Sequence, residues 1–214
     1  MTAPDGSPVA LYLRLPPRLA EAEFVNSLLP PACALRSSAY GARRNKPSSI
    51  LDLGCGTGRL AEPIAAKGHT IVAVDNEPEM LSHLRLSRPV LADIATLRLD
   101  EDFDAVLLMS HLVNHPDPAI VKRLLTTARN HLRPNGFAVI ERYPPGWVAT
   151  CAEKTTEQDG VRFILRDTAR DAEGVLSATM MYEFDGKRFE QSFQAREFDE
   201  ALLADFGHAY HLIP

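Results

Sequence analysis

Three alternating glycines directly after an apolar run constrain this chain more than any other feature. The run Ile50–Leu53 ends at Gly54, and Gly56 and Gly58 follow at every second position. A glycine has no Cβ and reaches positive φ at little cost, so the segment predicts a strand that turns into a helix with its backbone open to a ligand. This turn is therefore expected to border a bound nucleotide or nucleoside.

The spacing of these glycines argues against a dinucleotide ligand. Dinucleotide-binding turns have the pattern G-x-G-x-x-G, in which the third glycine lets the helix pack closely on the strand. Here Arg59 occupies that third position, and its long side chain would crowd such packing. The turn therefore favours a nucleoside cofactor without a pyrophosphate, and S-adenosylmethionine is the candidate that fits.

Composition limits the classes of protein and partner to which the chain can belong. Its 214 residues, of which 45% are apolar and 24% are charged, suit one domain with a substantial core. A net charge of −5 gives no support for a nucleic-acid surface. No apolar run approaches the roughly 20 residues that a membrane-spanning helix needs. We therefore expect neither nucleic acid nor a membrane as a partner.

The three cysteines lie far apart and form no C-x-x-C pair. This spacing predicts neither a disulfide framework nor a zinc site, so no metal is expected. The first residues lack the positive and apolar regions of a signal peptide. Together these features predict a reducing, cytoplasmic environment.

From residue 50 onward, short apolar runs alternate with stretches of helical pattern. The expected strands begin at Ile50, Thr70, Val90, Phe103 and Phe137. The last of them follows a predicted turn at Pro134-Asn135-Gly136. Continuously apolar strands separated by helices are typical of parallel strands buried on both faces. The sequence predicts an α/β fold, a doubly wound and mainly parallel Rossmann-like sheet with helices on both faces.

The pattern changes after residue 143. Three consecutive strands are expected at 161–168, 175–184 and 188–196, and the second turn between them carries the Asp-Gly signature of a hairpin. We expect these strands to form an antiparallel C-terminal cap or extension. A helix at 199–206 and a short, rather polar final strand at 208–213 complete the prediction.

These elements predict a single domain over residues 1–214. It divides into an N-terminal helical segment (1–48), a cofactor-binding core (49–142) and an acceptor-side antiparallel extension with the final strand (143–214).

Acidic residues stand at the ends of three successive predicted strands. Asp52 lies beside the glycine turn, Asp75 ends the second strand and Asp93 ends the third. Ligands of open α/β sheets sit outside the carboxyl ends of the strands, so these carboxylates are expected to meet at one ligand. Asp75 is placed to accept both hydroxyls of a ribose, and Asp93 to accept from an adenine amine.

Five segments of the chain, taken in order, resemble the motifs of class I S-adenosylmethionine-dependent methyltransferases. They are ILDLGCGTGRL (50–60), VAVDNEPEML (72–81), LADIATL (91–97), FDAVLLMSHLVNHP (103–116) and LRPNGFAVIE (132–141). The antiparallel tail is similar to the acceptor-side elaborations of members that act on small molecules. The resemblance implies S-adenosylmethionine as the methyl donor and a methyltransferase form of the predicted sheet.

The resemblance also implies a set of cofactor-binding residues. The predicted set is Asp52, Gly54, Cys55, Gly56, Gly58, Asp75, Asn76, Asp93, Ile94 and Ser110. Within it, the glycines border the methionyl part, Ile94 stacks on the adenine and Ser110 contacts the methionine amine. Asp52 suits the cationic sulfonium electrostatically, while Cys55 is a small filler of the turn.

Two histidines are the predicted catalytic residues. His111 and His115 follow the fourth strand, where an acceptor would approach, and histidine titrates near neutral pH. A base would remove the proton of an acceptor hydroxyl or ammonium, and His111 is the first choice. Glu141 and Tyr143 are weaker candidates for base or acceptor contact, and Trp147 is a candidate for lining the acceptor pocket.

The sequence thus predicts methyl transfer to an oxygen or nitrogen of a small molecule. It lacks the Asn/Asp-Pro-Pro-aromatic motif of many nucleic-acid amino-methylating enzymes. Two alternatives stay open: aminopropyl transfer from a decarboxylated donor, and a non-catalytic S-adenosylmethionine-binding or scaffold subunit. The sequence leaves the acceptor's identity and the choice between a monomer and a homodimer undecided.

Overall fold

The structure is a computed structural model that describes residues 6–29 and 47–214. Much of the predicted N-terminal helical segment, residues 1–5 and 30–46, lies outside the described residues. The described α-helices are α1 (Val9–Arg14), α2 (Leu19–Leu28), α3 (Ala61–Ala65), α4 (Pro78–Leu81), α5 (Pro118–Asn130) and α6 (Trp147–Thr150). Short 3₁₀ turns occur at Leu112–Asn114 and Glu200–Leu203.

Ten strands are described. In chain order they are β1 (Ser49–Leu53), β2 (Thr70–Asp75), β3 (Arg88–Leu91), β4 (Phe103–Leu108), β5 (Leu132–Glu141), β6 (Lys154–Gln158), β7 (Val161–Arg170), β8 (Leu176–Phe184), β9 (Lys187–Ala195) and β10 (Ala209–Ile213).

Six of these strands form one parallel sheet in the order β10-β5-β4-β1-β2-β3. The chain runs outward from β1 to β3 and then returns to β4 on the other side of β1. The crevice at this reversal, beyond the carboxyl ends of β1 and β4, is where ligands of doubly wound sheets bind. The predicted fold class is confirmed.

Apolar clusters bury both faces of the central strands. One cluster contains Leu51 and Val106 and packs against α5, whereas the other contains Ile50 and Ala105 and packs against α2 and α3. Neighbouring residues of one strand thus enter opposite clusters, because side chains alternate across a sheet. This explains why β1 and β4 are continuously apolar.

The prediction that all five strands are buried on both faces was wrong for the third. β3 is an edge strand, and its Leu91 is 60% exposed. The turn predicted at residues 134–136 was also wrong, because these residues lie inside β5, beside a register shift between Phe103 and Ala105 of β4. The extended backbone of β5 accommodates Pro134 at this irregularity.

Residues 154–195 form a separate antiparallel sheet, β6-β7-β8-β9. The predicted hairpins are present, but the sheet has a fourth strand that the hydrophobic pattern missed. All five residues of β6 are polar and exposed, so period-2 alternation could not reveal it. Leu11 of α1 packs with Val161 and Phe184 of this sheet, which joins the N-terminal segment to the extension.

Candidate cofactor and acceptor site

A cleft lies at the carboxyl ends of β1 and β4, beneath the N-terminal segment. Its lining combines the glycine turn, the residues after β4 and two side chains that precede α2. The lining residues are Tyr12, Arg18, Asp52, Gly54, Cys55, Gly56, Thr57, Arg59, Leu60, Met109 and Ser110.

The glycine turn is held against β2 by its own backbone. The amides of Gly54 and Cys55 both donate to the carbonyl of Val74, at 2.9 and 3.0 Å. Gly54 and Gly56 have φ values of +77° and +54°, which side-chain-bearing residues adopt at a cost. A Cβ at Gly54 would lie 3.1 Å from Leu112 Cδ1, so the absence of a side chain keeps the entrance open.

Asp75 connects the end of β2 to the glycine turn. Its Oδ2 accepts a 2.8 Å hydrogen bond from the amide of Gly56, and its Oδ1 accepts from the amide of Glu77 at 3.0 Å. These bonds fix the carboxylate at the rim of the turn. The orientation of the carboxylate is thus determined by two backbone amides.

Asp52 is the buried acid of the site. It is 2% exposed and lines the cleft. Burial raises the pKa of Asp52 to about 7, because a carboxylate loses hydration there. The charge of Arg18 acts against this rise, and the charge of Asp75 adds to it. A cation that binds in the cleft would therefore favour the ionised form of the Asp52 carboxyl.

Arg18 supplies a positive charge to the same cleft. Its guanidinium bonds to both oxygens of Glu141, at 2.9 and 2.6 Å, and to Oε1 of Glu21, at 2.9 and 2.8 Å. Burial alone would lower the pKa of Arg18, but the hydrogen bonds and charge of Glu141 raise it above its ordinary value. Arg18 therefore stays fully charged.

Arg59 anchors the N-terminal segment to the glycine turn. Its Nε donates to the carbonyl of Pro16 at 2.8 Å, and its own carbonyl accepts from the amide of Arg18 at 2.8 Å. The residue that breaks the dinucleotide pattern therefore positions Arg18 beside the turn.

Backbone strain marks the end of β4. Ser110 and His111 both have left-handed backbones, with φ values of +57° and +58°. Non-glycine residues adopt this region rarely, and each such residue costs about 1 kcal/mol or more. The amide of Ser110 donates to Oε2 of Glu141, and the amide of Asn114 donates to the carbonyl of His111 at 2.8 Å. Contacts on both sides thus hold the strained turn.

The ring of His111 begins an aromatic stack. Its centroid lies 4.1 Å from that of Tyr143, and the Tyr143 ring stacks on Trp147 at 3.8 Å. Burial lowers the pKa of His111, with Glu141 opposing this effect and Arg18 adding to it. Burial also raises the pKa of Tyr143 to about 12. At neutral pH, His111 is thus an uncharged imidazole that can accept a proton, whereas Tyr143 is a neutral phenol.

Asn114 joins the turn after β4 to the extension. It is 2% exposed, its Oδ1 accepts from the amide of Tyr143 at 2.8 Å and its Nδ2 donates to the carbonyl of Arg196 at 2.9 Å. His115, the second predicted catalytic residue, accepts at Nδ1 from the amide of Asp117 at 3.0 Å. This bond places His115 in the turn before α5.

Comparisons with known proteins agree with this geometry. Residues 50–136 match the family model described as "Methyltransferase domain". The match runs from β1 into β5, so this part of the chain is similar to methyltransferase domains. The resemblance inferred from the five sequence segments is confirmed.

Individual relatives of the methyltransferase domain are similar over different lengths. Cypemycin N-terminal methyltransferase from Streptomyces sp is 33% identical over 132 residues, covering 58% of this chain and 53% of the relative. Ubiquinone biosynthesis O-methyltransferase from Xanthomonas axonopodis pv. citri is 32% identical over 142 residues, covering 62% and 51%. The chain thus spans about half the length of the curated relatives it matches.

A solved structure shares the fold over nearly the whole chain. The sugar N-methyltransferase KedS8 from Streptoalloteichus sp superposes with a TM-score of 0.69, covering 97% of this chain and 87% of that one. The sequence identity is 24%, so the likeness shows the fold. The superposition extends beyond the core into the segments on either side.

The cleft brings together part of the predicted cofactor set. Asp52, Gly54, Cys55, Gly56 and Ser110 line the cleft itself. Asp75 joins them through Gly56. Ile94 reaches within 3.9 Å of where a Cβ on Gly54 would stand.

Besides Asp75 and Ile94, three predicted cofactor residues are not among the described residues that line the cleft. Gly58 is buried against the side chains of Leu84 and Glu62, so packing alone accounts for it. Asn76 and Asp93 are exposed, and Oδ1 of Asp93 accepts from the amide of Ala95 at 2.8 Å. Their roles toward an adenosine stay predictions.

The sequence analysis did not predict Tyr12 and Arg18 as cleft residues. Both precede the glycine turn by more than thirty positions, and no motif marks them. Arg59 at the third-glycine position was the available signal, because a long polar side chain there needs a partner and finds it at Pro16.

Neither a metal cluster nor a membrane-spanning helix is found in the described residues. Within residues 6–29 and 47–214, no three His, Cys, Asp or Glu side chains cluster as a metal site would require. In the same residues, no helix has the length and apolar character needed to cross a membrane.

Proposed function

We propose that this protein transfers a methyl group from S-adenosylmethionine to an oxygen or nitrogen of a small-molecule acceptor. The observation that carries the proposal is the pairing of Asp52 and Arg18 in one cleft beside the glycine turn. The methionyl end of the donor is a zwitterion, so it needs an anionic and a cationic partner side by side. Asp52 and Arg18 supply these charges, and Asp75 supplies an acceptor for the ribose hydroxyls.

Arg18 is suited to bind the donor carboxylate. A guanidinium has five N–H donors, and among the described residues the guanidinium of Arg18 makes four hydrogen bonds, to Glu21 and Glu141. One N–H of Nη1 is thus left for a ligand oxygen. A decarboxylated donor has no carboxylate to accept a hydrogen bond from this N–H, which argues against the aminopropyl-transfer alternative.

The local charge favours a sulfonium. Four carboxyl groups outnumber the two guanidinium groups of Arg18 and Arg59 around this cleft, which gives it an acidic balance that attracts a cationic donor. The carboxyl groups are those of Asp52, Asp75, Glu21 and Glu141. Transfer neutralises the sulfonium to a thioether. The product therefore loses part of this attraction, which favours its release.

His111 is the proposed base. The acceptor lone pair attacks the methyl carbon, the carbon–sulfur bond breaks with its electrons moving to sulfur, and the acceptor's proton passes to the imidazole. Burial keeps the pKa of His111 low, so the ring is neutral and ready to accept a proton. Holding the reactants in line supplies much of the remaining rate.

The extension is the proposed acceptor side. The partly buried side chains there that pack against its apolar cluster are Tyr143, Trp147, Met180 and Phe193. Such a lining suits an acceptor with an apolar face. The relatives' names include both N- and O-methyltransferases, so the acceptor atom is open between nitrogen and oxygen.

Cofactor titration and turnover test the proposal together. We expect calorimetry to show binding of S-adenosylmethionine and of its demethylated product, and weaker binding of the decarboxylated donor. Labelled methyl transfer to a panel of amino sugars, phenols and peptide amines would then identify the acceptor class. An absence of binding to either cofactor form would overturn the proposal. Binding without transfer to any acceptor of the panel would favour the scaffold alternative.

The proposed cellular setting is a reducing cytoplasm. Cys55 and Cys151 are buried free thiols in the structure, and thiols persist in reduced form in that compartment.

A further inference from the structure

Glu141 stands where the donor half and the acceptor half of the site meet. It is 5% exposed, at the end of β5. One side of its carboxylate faces Arg18, and Oε2 also accepts from the amide of Ser110. The proposed carboxylate-binding group and the turn that carries the proposed base therefore share a single side chain.

We infer that Glu141 is a positioning residue, which holds the Ser110–His111 turn in its strained conformation and couples that turn to Arg18. This inference rests on the proposed function, since it gives Glu141 a role toward the His111 base. It differs from the sequence-based interpretation, in which Glu141 was a candidate base or acceptor contact.

The geometry leaves Glu141 unsuited to act as the base itself. Its two oxygens are engaged by a bidentate guanidinium and by a backbone amide, and charge-assisted bonds of this kind are the strong ones. Its position instead favours a fixed anion that orients its neighbours.

The strained turn explains why such an anchor is needed. Left-handed Ser110 and His111 would relax to ordinary backbone if their amides and carbonyls were free. The carbonyl of His111 is held by Asn114, and the amide of Ser110 is held by Glu141. Removal of the second contact would let the turn relax and move the imidazole away from the acceptor.

Charge provides a second link between Glu141 and His111. The charged and titratable groups that face His111 are Glu141 from β5, Arg18 from the segment before α2 and Tyr143 from beyond β5. Glu141 is the group that favours the protonated imidazole, and Arg18 opposes it. A donor carboxylate bound to Arg18 would offset the positive charge of Arg18. The pKa of the His111 imidazole would then rise, so His111 would be a stronger base when the donor is bound.

The test compares Glu141→Gln with Glu141→Asp and with two controls. Glu141→Gln removes the charge, so we expect turnover per active site to fall roughly 10-fold to 100-fold. We also expect the acidic limb of the kcat–pH profile to move to lower pH by on the order of one unit. Glu141→Asp keeps the charge, so the acidic limb should stay at its wild-type pH. Its side chain is shorter and cannot hold the Ser110 amide in the same way, so kcat should fall.

Glu21→Gln is the matched control at Arg18, because it removes a carboxylate that does not touch Ser110. Its acidic limb should move less than that of Glu141→Gln, because Glu21 acts on His111 only through Arg18. Glu183→Gln removes an ion-paired carboxylate from the antiparallel sheet, where it bonds Arg162 and Arg188, and should leave turnover unchanged. Active sites are counted by cofactor titration, which separates lost turnover from lost folded protein.

The outcomes separate this inference from the proposed function. If His111→Ala abolishes turnover but both Glu141 variants keep wild-type kcat per active site and an unshifted limb, the positioning role is wrong and the proposed base stands. Full activity of His111→Ala would overturn both the positioning role of Glu141 and the assignment of His111 as the base. If Glu141→Gln folds poorly, an NMR titration of the His111 ring in Glu141→Asp provides the reading. Because Glu141→Asp keeps the charge, its His111 titration should match that of the wild type while the chemical shifts of the ring change. Ring chemical shifts identical to those of the wild type would refute the positioning role.

Discussion

The amide of Gly56 donates a 2.8 Å hydrogen bond to Oδ2 of Asp75, which joins the glycine turn after β1 to the carboxyl end of β2. Two motifs that lie 19 positions apart in sequence thus form one rigid rim. A rim of this kind presents bare backbone and an oriented carboxylate to the same ligand. Cofactor affinity is therefore expected to depend on Asp75 through both its contacts with the ligand and its hold on the turn.

Substitution of Asp75 should weaken donor binding. Asp75→Ala removes charge-assisted hydrogen bonds, each worth about 1.5–3 kcal/mol, so the Kd for S-adenosylmethionine should rise by at least about tenfold in calorimetry. Asp75→Asn keeps an oxygen for the Gly56 amide and should lose less affinity. Equal, wild-type affinity in both variants would show that the ribose lies elsewhere.

Donor binding should depend on pH through Asp52. Its pKa is raised to about 7, and a cationic donor favours the ionised form. Between about pH 6 and about pH 8 the affinity for S-adenosylmethionine should therefore rise by about tenfold and then level off. Calorimetry across this range checks the effect. Asp52→Asn should bind weakly at every pH, and the persistence of the pH dependence in that variant would assign it to another group.

The same residue should lower the stability of the ligand-free protein as pH rises. A carboxyl whose folded pKa lies above its unfolded value of 3.8 binds more protons when folded, so its contribution is lost between about pH 4 and about pH 7. The full loss in the free energy of unfolding is on the order of 4 kcal/mol. Urea unfolding at both ends of this range should show a smaller loss for Asp52→Asn than for the wild type.

The sequence was sufficient for the parts of the fold and site that depend on neighbouring residues. Asp52 and Gly56 belong to one strand–turn unit, and Asp75 ends the next strand, so the rule that ligands lie at the carboxyl ends of parallel strands brings them together. The central strands were recognisable because both of their faces are buried. These arguments need only local pattern and a general property of the fold.

The rest depended on tertiary packing that local pattern does not encode. Arg18 enters the site because the N-terminal segment lies across the glycine turn, and Glu141 becomes an anchor because Arg18 reaches it over a separation of 123 residues. β6 is polar and exposed on all its residues, so its pairing with β7 leaves no hydrophobic signal. Contacts of this range become visible only in the folded chain.

Packing at Gly58 predicts a measurable stability difference. An alanine there would place Cβ 2.5 Å from Leu84 Cδ2 and 2.9 Å from Glu62 Cγ, at a φ of +83°. Gly174 has nearly the same φ, +78°, but nothing within 4 Å of the added atom. Both alanine variants carry the left-handed penalty of about 1–2 kcal/mol, so Gly58→Ala should unfold at lower urea than Gly174→Ala. Equal midpoints would mean that Leu84 and Glu62 move aside at no cost.

The two predicted catalytic histidines should behave differently. His111→Ala removes the proposed base, so kcat should fall by about 10²–10⁴ while the calorimetric Kd for the donor stays near that of the wild type. Because burial lowers the pKa of His111, the wild-type acidic limb should lie below the ordinary histidine value of about 6.5, and the variant's residual rate should lack that limb. His115→Ala removes only the acceptor for the Asp117 amide at the start of α5, so a small loss of stability with kcat largely retained is expected. A loss of turnover in His115→Ala as large as that in His111→Ala would return His115 to the catalytic site.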